Sequence, residues 1–257
     1  MLLPIFFAIS AIAQDSDYSQ GGDNWTETLC ATGDEQSPID FVEESVTSTT
    51  SNDDVKVEVS FTPFTGQFGK TAIDLSYGSE EPFGTFTINN ETFQIVNIHF
   101  HAPSEHTING KSYPAELHLF GSGTGERYLE VGLLYEEGSE DGFIKKAYDS
   151  TGSEQTFDLG DVFGDGEVEG YYYYEGSLSA PVFGDCFENT AWIVFSEIKE
   201  LSKDQLSNFT SMWAENPNFA NGRGNNRKVQ PLNGRTVYLR ESSYLALLGL
   251  GVLIIYL

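Results

Sequence analysis

The chain has 257 residues, of which 39% are hydrophobic and 14% aromatic, so it can form a packed core and is not disordered as a whole. Its 39 acidic residues outnumber 13 Lys and Arg, and the resulting net charge of −26 excludes nucleic acids and anionic membrane surfaces as main partners. With only four His and two Cys, thiolate metal clusters and disulfide-dense scaffolds are also excluded.

The N-terminal residues 1–13 are apolar and end in the small-residue triplet Ala11-Ile12-Ala13, which predicts a secretory signal peptide cleaved before Gln14. The basic residue that usually precedes such a stretch is missing. The alternative is a buried N-terminal helix, which the polar stretch starting at Asp15 disfavours. We therefore expect an exported protein whose mature domain spans residues 14–240.

Residues 241–257 form a hydrophobic C-terminal tail, apolar without interruption from Tyr244 to the end. A spanning helix needs about 20 apolar residues, whereas the tail of a lipid-anchor signal needs only about 10–20. The tail therefore predicts a lipid-anchor signal, with a membrane anchor or a docked core segment as the alternatives. Together with the signal peptide, it predicts a protein that is secreted or held at the extracellular face of the cell surface.

Export also allows the cysteines to form a disulfide bond and the Asn-x-Thr sequons to be glycosylated. Cys30 and Cys186 are expected to form a disulfide bond, because extracellular compartments are oxidising. By loop-entropy arithmetic, closing so long a loop stabilises the fold by about 4–5 kcal/mol. The three sequons are candidate glycosylation sites, at Asn24, Asn90 and Asn208.

Short alternating or apolar runs separated by turns predict β-strands along most of the chain. The clearest runs cover residues 55–61, 85–88, 92–101, 117–120, 128–135 and 190–195, with turns at Asn89-Asn90 and Asn109-Gly110. The best helix candidate covers residues 202–209, with Ser202 as N-cap. Residues 137–174 are acidic, Gly-rich and aromatic, and we expect irregular, partly helical structure on the surface there. The prediction is one mainly β domain with minor α content.

All four histidines lie within 20 residues of one another, at positions 99, 101, 106 and 118. His99 and His101 are two apart in a predicted strand and share a face, while His118 lies on the next predicted strand. Three neutral imidazoles with a free fourth position are the ligand set of catalytic zinc. The alternative is a group of core histidines that are hydrogen-bonded without a metal, since His-x-His pairs also occur in metal-free strands.

Metal-bound imidazoles need an acceptor for the other ring nitrogen. Asn97 lies two residues before His99 and Glu116 two residues before His118, so each can reach the same face of its strand. The alternative for Glu116, and for Glu105, is a solvated charge at the end of a strand.

These residues resemble the α-class carbonic anhydrases. Residues 104–120 match the 17-residue signature of that family without a gap, and the preceding His99-Phe100-His101 also has the family form. Further segments resemble family blocks in the same order over roughly residues 18–240, namely residues 30–33, 36–40, 176–181, 191–195 and 225–232.

The resemblance implies a large twisted, mostly antiparallel sheet of about ten strands with a few short helices. It implies a Zn²⁺ cofactor held by His99, His101 and His118 at the bottom of a cleft, and reversible hydration of CO2 to bicarbonate and a proton by zinc-hydroxide attack. Ser179 takes the gatekeeper position and would donate a hydrogen bond to Glu105. His106 would be a structural member of the network, and the Cys30–Cys186 bridge would support the gatekeeper loop.

The substrate pocket implied by the resemblance departs from the family pattern. It would be lined by Leu178 and Trp192, by Phe120 in place of a smaller valine and by the more polar Thr190. Glu130 falls where the family keeps a small apolar residue. A carboxylate facing CO2 is costly unless paired or protonated, so we expect an outward-facing Glu130 or a shifted alignment. All four histidines have roles, which leaves no histidine to relay protons to solvent.

Two other functions remain open at this stage. One is a carbonic-anhydrase-like protein at the cell surface that is catalytically weak or inactive and serves in binding or structure. Retention of all three candidate ligands favours the enzyme over this alternative. The other is a different His-ligated β-barrel metalloprotein such as an iron dioxygenase, which would have to explain the 17-residue match. The oligomeric state is left open.

Overall fold

A computed structural model describes residues 17–26, 28–49, 55–70, 75–182, 184–213 and 223–242. The predicted signal peptide and the apolar run from Tyr244 lie outside the described residues. Within those ranges, no helix combines the length and the apolar character that crossing a membrane requires. Strands dominate the described chain, so the prediction of a mainly β fold with a few short helices is confirmed.

The elements follow one another along the chain with short connections. The strands are β1 Asp40–Phe41, β2 Thr47–Thr49, β3 Val57–Phe61, β4 Phe64–Gly66, β5 Gly69–Lys70, β6 Leu75–Gly78, β7 Gly84–Ile88, β8 Glu91–His101, β9 Thr107–Ile108, β10 Lys111–Ser112, β11 Ala115–Ser122, β12 Tyr128–Glu137, β13 Gln155–Phe157, β14 Gly166–Val168, β15 Tyr171–Ser177, β16 Glu188–Leu201 and β17 Tyr238–Arg240. The helices are α1 Leu29–Thr32, α2 Gly142–Asp149, α3 Gly160–Phe163 and α4 Lys203–Trp213.

Twelve of these strands form one large sheet. Its order is β14-β3-β7-β8-β11-β12-β16-β15-β17-β2, and β6 pairs with β8 and with β5. Most pairs are antiparallel, but β12 with β16 and β17 with β2 are parallel. Two small sheets, β1-β9-β10 and β4-β13, flank the large one. The expected large, mostly antiparallel sheet is therefore present.

The central strands are buried on both faces, yet each face has its own composition. On β8, β11, β12 and β16, alternate apolar residues such as Leu117 and Val131 point into the main hydrophobic core. The residues between them, including His118 and Trp192, point to the opposite face, where a second, aromatic-rich cluster lies. Fully burying a large apolar side chain stabilises a fold by about 1.5–3 kcal/mol. Burial of the apolar face in the main core therefore fixes the register of these strands, and the register decides which residues lie on the opposite face.

The tyrosine run 171–174 corrects one prediction. It was expected in irregular surface structure, but it forms the first part of β15, inside the large sheet. Tyr171 packs into the main core, whereas Tyr172 and Tyr174 pack into the second cluster. Four tyrosines in a row suit a strand because aromatic residues favour the pleated surface and alternate between its faces. The helical part of the expectation is met upstream by α2 and α3.

Other local predictions hold. Both residues of the Asn89-Asn90 and Asn109-Gly110 turns have positive φ, the conformation of the tight turns that join antiparallel strands. Helix α4 begins one residue after Ser202, whose Oγ accepts a hydrogen bond from the backbone N–H of Gln205. Cys30 and Cys186 form a disulfide bond that joins α1 to the loop between β15 and β16.

Candidate metal centre

The pairing of β8 with β11 brings three of the four histidines onto one face of the large sheet, referred to below as the site face. His118 lies directly opposite His99 across the two strands, and Glu116 lies opposite His101. Directly paired residues share a face, and so do residues two apart on one strand. Period-two alternation in two neighbouring strands is therefore enough to gather His99, His101 and His118.

The ligand atoms of these three histidines all lie within 4.8 Å of one another. In two of them the other ring nitrogen faces an oxygen. Nδ1 of His99 lies 2.8 Å from Oδ1 of Asn97, and Nδ1 of His101 lies 2.6 Å from the backbone oxygen of Asn225. These contacts make Nδ1 the protonated nitrogen of each ring and leave Nε2 with a free lone pair.

The third histidine uses its nitrogens the other way round. Nε2 of His118 lies 2.9 Å from Oε1 of Glu116, which leaves Nδ1 for a ligand. Nδ1 of His118 and Nε2 of His101 are buried and have no hydrogen-bond partner among the described residues. An unsatisfied buried polar group costs about 1–3 kcal/mol, which coordination to a metal ion would remove. The alternative of fully hydrogen-bonded core histidines is therefore wrong for these two.

Burial also sets the charge state that metal binding needs. Burial lowers the pKa of His99 well below its usual value, and the neighbouring His101 and His118 lower it further. Burial likewise lowers the pKa of His118, although Glu116 opposes the shift. Neutral imidazoles are the form that binds metal, and three of them suit Zn²⁺. The donor set thus fits the metal that the sequence predicts.

Glu116 connects the metal centre to His106. Its Oε2 accepts the backbone N–H groups of Glu105 and His106 at 2.8 and 2.9 Å, and its Oε1 lies 2.7 Å from Nδ1 of His106. Burial raises the pKa of Glu116, but His106 and His118 together hold it well below its usual range. Nε2 of His106 lies 2.8 Å from the hydroxyl of Tyr174. Both nitrogens of His106 are thus engaged, as expected for a structural residue and not a ligand.

The predicted pocket residues lie beside the metal centre. Phe120, Glu130 and Trp192 pair directly across β11, β12 and β16, one row further along the site face than His118. Leu178 packs against Phe120 in a small apolar cluster. The indole N–H of Trp192 and the hydroxyl of Thr190 donate to backbone oxygens at 2.8 and 3.1 Å, so both polar tips are partnered. The structure therefore brings the five residues to one end of the site face.

Comparison with known proteins identifies the family. The family model described as eukaryotic-type carbonic anhydrase matches residues 20–138 and 139–241. The chain belongs to the carbonic anhydrase family. Alpha carbonic anhydrase 3 of Arabidopsis thaliana is 28% identical to it over 241 residues, which cover 90% of this chain and 83% of that protein. A carbonic anhydrase of Neisseria gonorrhoeae is 29% identical over 87% of this chain and 84% of its own length.

Solved structures agree with the sequence comparison. The α-carbonic anhydrase of Thermovibrio ammonificans, solved with the inhibitor sulfanilamide, matches with a TM-score of 0.67 and 29% identity. The match covers 82% of this chain and 89% of that one. The α-class resemblance, the fold and the expectation of an enzyme of this class are thereby confirmed.

One contact expected from the carbonic anhydrase pattern is missing. Ser179 and Glu105 are both buried, so the alternative of a solvated Glu105 is wrong. Oε1 of Glu105 accepts the backbone N–H of Arg227 at 2.7 Å, but Oε2 has no hydrogen-bond partner among the described residues. The predicted hydrogen bond from Ser179 is therefore absent. Serine lacks the β-methyl group that restricts χ1 in threonine, so its hydroxyl can take other rotamers.

The second departure concerns Glu130, for which the outward-facing expectation is wrong. Glu130 is only 5% exposed and lies on the site face. Its neighbours Leu129 and Val131 point into the main core, and strand alternation then turns Glu130 inward. Burial raises its pKa well above the usual value, and the nearby Glu105 and Glu116 raise it further.

Asn225 is the site residue whose role the sequence did not predict. Besides the backbone contact to His101, its side chain accepts the N–H of Ala102 at 2.8 Å and donates to the oxygen of Phe100 at 2.7 Å. It thereby holds the end of β8 in place. Its position in a segment that resembles a family block was a signal, but no local spacing links it to a histidine more than 120 residues away.

Proposed function

We propose that this protein catalyses the reversible hydration of CO2 to bicarbonate and a proton, with Zn²⁺ bound by Nε2 of His99, Nε2 of His101 and Nδ1 of His118. The observation that supports this proposal is the orientation of the three rings. Each turns one nitrogen toward a common point while an oxygen acceptor engages the other. Family membership supports the reaction, and the all-imidazole donor set supports the metal.

A zinc ion held by these residues would act as a Lewis acid that lowers the pKa of a water molecule to about 7, which would provide a nucleophile at neutral pH. The protein's contribution is to hold the ligands rigidly. Asn97, the backbone of Asn225 and Glu116 fix the ring orientations of His99, His101 and His118. The negative charge on Glu116, stabilised by the N–H groups of Glu105 and His106, also makes His118 a more basic ligand.

Ser179 and Glu105 would control the proton on the attacking oxygen. Oε2 of Glu105 is buried without a hydrogen-bond partner among the described residues, and Ser179 is buried as well. In this proposal the hydroxyl of Ser179 donates to Oε2. The serine oxygen would then be restricted to accepting the proton of the nucleophile, which orients a lone pair of the nucleophile toward the carbon of CO2. The apolar faces of Phe120, Leu178 and Trp192 would hold CO2 next to it.

The same proposal includes an extracellular location. The Cys30–Cys186 bridge supports it, because such bonds persist in oxidising compartments. Among the candidate glycan sites, Asn90 is exposed at the turn between β7 and β8 and Asn208 is exposed on α4. The amide nitrogen of Asn24 instead donates to Asp17 at 2.7 Å, so a glycan there would leave a single N–H for that contact. A lipid anchor at the tail remains part of this proposal.

Metal analysis and stopped-flow CO2 hydration of the full chain test the function. The expected result is one zinc per chain and catalysis that a chelator abolishes. We expect His118→Ala to reduce both zinc content and rate to background, since two imidazoles hold zinc poorly. Zinc binding without CO2 hydration would support a binding or structural role. Bound iron with redox activity would support an oxygenase and contradict the proposal.

A further inference from the structure

Glu130 is a buried carboxyl group for which the family mechanism has no use. It is 95% buried, and its Oε2 has no hydrogen-bond partner among the described residues. Its direct strand partners are Phe120 and Trp192, neither of which is a proposed metal ligand. Buried polar atoms are nearly always partnered in folded proteins, so each exception needs an explanation.

The surroundings of Glu130 explain why the protein itself supplies no partner. Phe120 belongs to an apolar cluster with Leu178, and the indole N–H of Trp192 already donates to a backbone oxygen. An ordered water, or a small molecule that displaces it at this end of the site face, can supply the hydrogen bond. The proposed reaction places an oxygen-rich species there, since its product is bicarbonate.

Building on the proposed function, we propose that Glu130 is a substrate-binding residue whose Oε2 makes a hydrogen bond to an oxygen atom of bicarbonate held beside the metal centre. CO2 is a weak hydrogen-bond acceptor, whereas the oxygens of bicarbonate carry negative charge and accept strongly. The contact therefore favours the bound anion over bound CO2. It gives this chain a polar anion contact at a position where the family resemblance implies a small apolar side chain.

The charge state of Glu130 is compatible with this contact. Burial raises the pKa of Glu130 well above the usual value, and the carboxylates of Glu105 and Glu116 raise it further, which favours the acid form. A neutral carboxylic acid has one O–H donor, whereas an ionised carboxylate would repel the anion. Glutamine has nearly the same shape and also donates, which makes Glu130→Gln the matched conservative variant.

Product inhibition of CO2 hydration by bicarbonate, measured on the zinc-loaded full chain, tests the contact. For Glu130→Val we expect the inhibition constant of bicarbonate to rise about 10- to 100-fold, the loss of one hydrogen bond to an anion. Glu130→Gln should stay within about threefold of the unmodified chain. Glu137→Val is the control, because Glu137 is exposed at the end of the same strand, and it should leave inhibition unchanged.

Infrared difference spectroscopy provides a readout that does not depend on turnover. Adding bicarbonate should shift the carbonyl band of the protonated Glu130 acid, and this shift should be missing in Glu130→Gln. An unshifted band, or bicarbonate inhibition as strong in Glu130→Val as in the unmodified chain, would overturn the proposal. If the unmodified chain fails to hydrate CO2 yet shows the shift, the proposed function fails while the binding role of Glu130 stands.

Discussion

The two ends of the site face differ in the kind of buried polar atom that lacks a hydrogen-bond partner among the described residues, which is an imidazole nitrogen at the metal end and a carboxyl oxygen at the pocket end. At the metal end, formed by His99, His101, Glu116 and His118, each ring nitrogen that does not face the common point is within hydrogen-bond distance of an oxygen. At the pocket end, formed by Phe120, Glu130, Leu178 and Trp192, a buried carboxyl oxygen has no partner among the described residues.

The difference shows which part of the site tolerates change. All three imidazole rings must be oriented correctly to bind one metal ion, so a change in any one of their acceptors is expected to weaken binding. The pocket end only has to admit a small molecule beside that ion. Phe120 and the buried Glu130 lie there, one row along the sheet from His118.

The largest expected effect concerns Ser179, the residue at the gatekeeper position. Ser179→Ala should lower kcat/KM for CO2 about a hundredfold, because it removes the hydroxyl that would orient the nucleophile. Ser179→Thr keeps the hydroxyl and adds the restricting methyl, so it should retain at least the activity of the unmodified chain. Stopped-flow assays measure both. If the alanine variant were as active as the threonine variant, Ser179 would have no such role.

A second prediction weakens the metal end. Glu116→Gln removes the negative charge beside His118 and His106, and zinc affinity should fall about 10- to 100-fold. Competition with a fluorescent zinc chelator gives the affinity directly. Glu137→Gln, on the exposed end of β12, is the matched control and should bind zinc as the unmodified chain does. Equal affinities for the two variants would contradict the role given to Glu116.

A third prediction concerns proton release. The four histidines are committed to the metal centre and its network, so no histidine is left to relay protons to solvent. Turnover in weak buffer should therefore be limited by proton transfer, and added imidazole should raise kcat at least about tenfold. A turnover independent of buffer concentration, without a solvent isotope effect, would argue against this limit.

The smallest expected effect is on stability at the pocket end. A carboxyl group with a raised folded pKa stabilises the fold below its unfolded pKa of about 4.3, and this contribution is lost as pH rises through the folded value. The free energy of unfolding relative to Glu130→Gln should therefore fall between pH 5 and pH 8, by about 1–3 kcal/mol at most. Urea unfolding in the presence of a chelator, which keeps both proteins metal-free, measures this difference. A pH-independent difference would show that Glu130 is not buried as described.

Sequence reasoning predicted those parts of the site that depend on local spacing. The histidine pairs and the acceptors Asn97 and Glu116 follow from the two-residue period of a strand. The role of Asn225 does not, because the contact to His101 joins segments 124 residues apart. The orientation of Glu130 was predicted wrongly because the prediction relied on the cost of burying a carboxylate. The two-residue period of the strand determines which face Glu130 lies on.

The strands also divide into those that a local sequence pattern predicts and those that it does not. Runs such as residues 92–101 and 128–135 were predicted as strands because they are alternating or apolar. The tyrosine run 171–174 was missed because four identical residues show no alternation and lie in an acidic, Gly-rich segment. Its position between β16 and β17 depends on the sheet topology, which no local sequence pattern predicts.

X-ray absorption spectroscopy at the zinc edge tests whether three imidazoles bind one zinc ion. We expect one zinc per chain with three imidazole nitrogens and one further light atom, at about 2.0–2.1 Å. His118→Ala should lose one imidazole contribution or fail to retain zinc. A spectrum with fewer than three imidazoles in the unmodified chain, or with a carboxylate of Glu116 in place of one of them, would contradict this expectation.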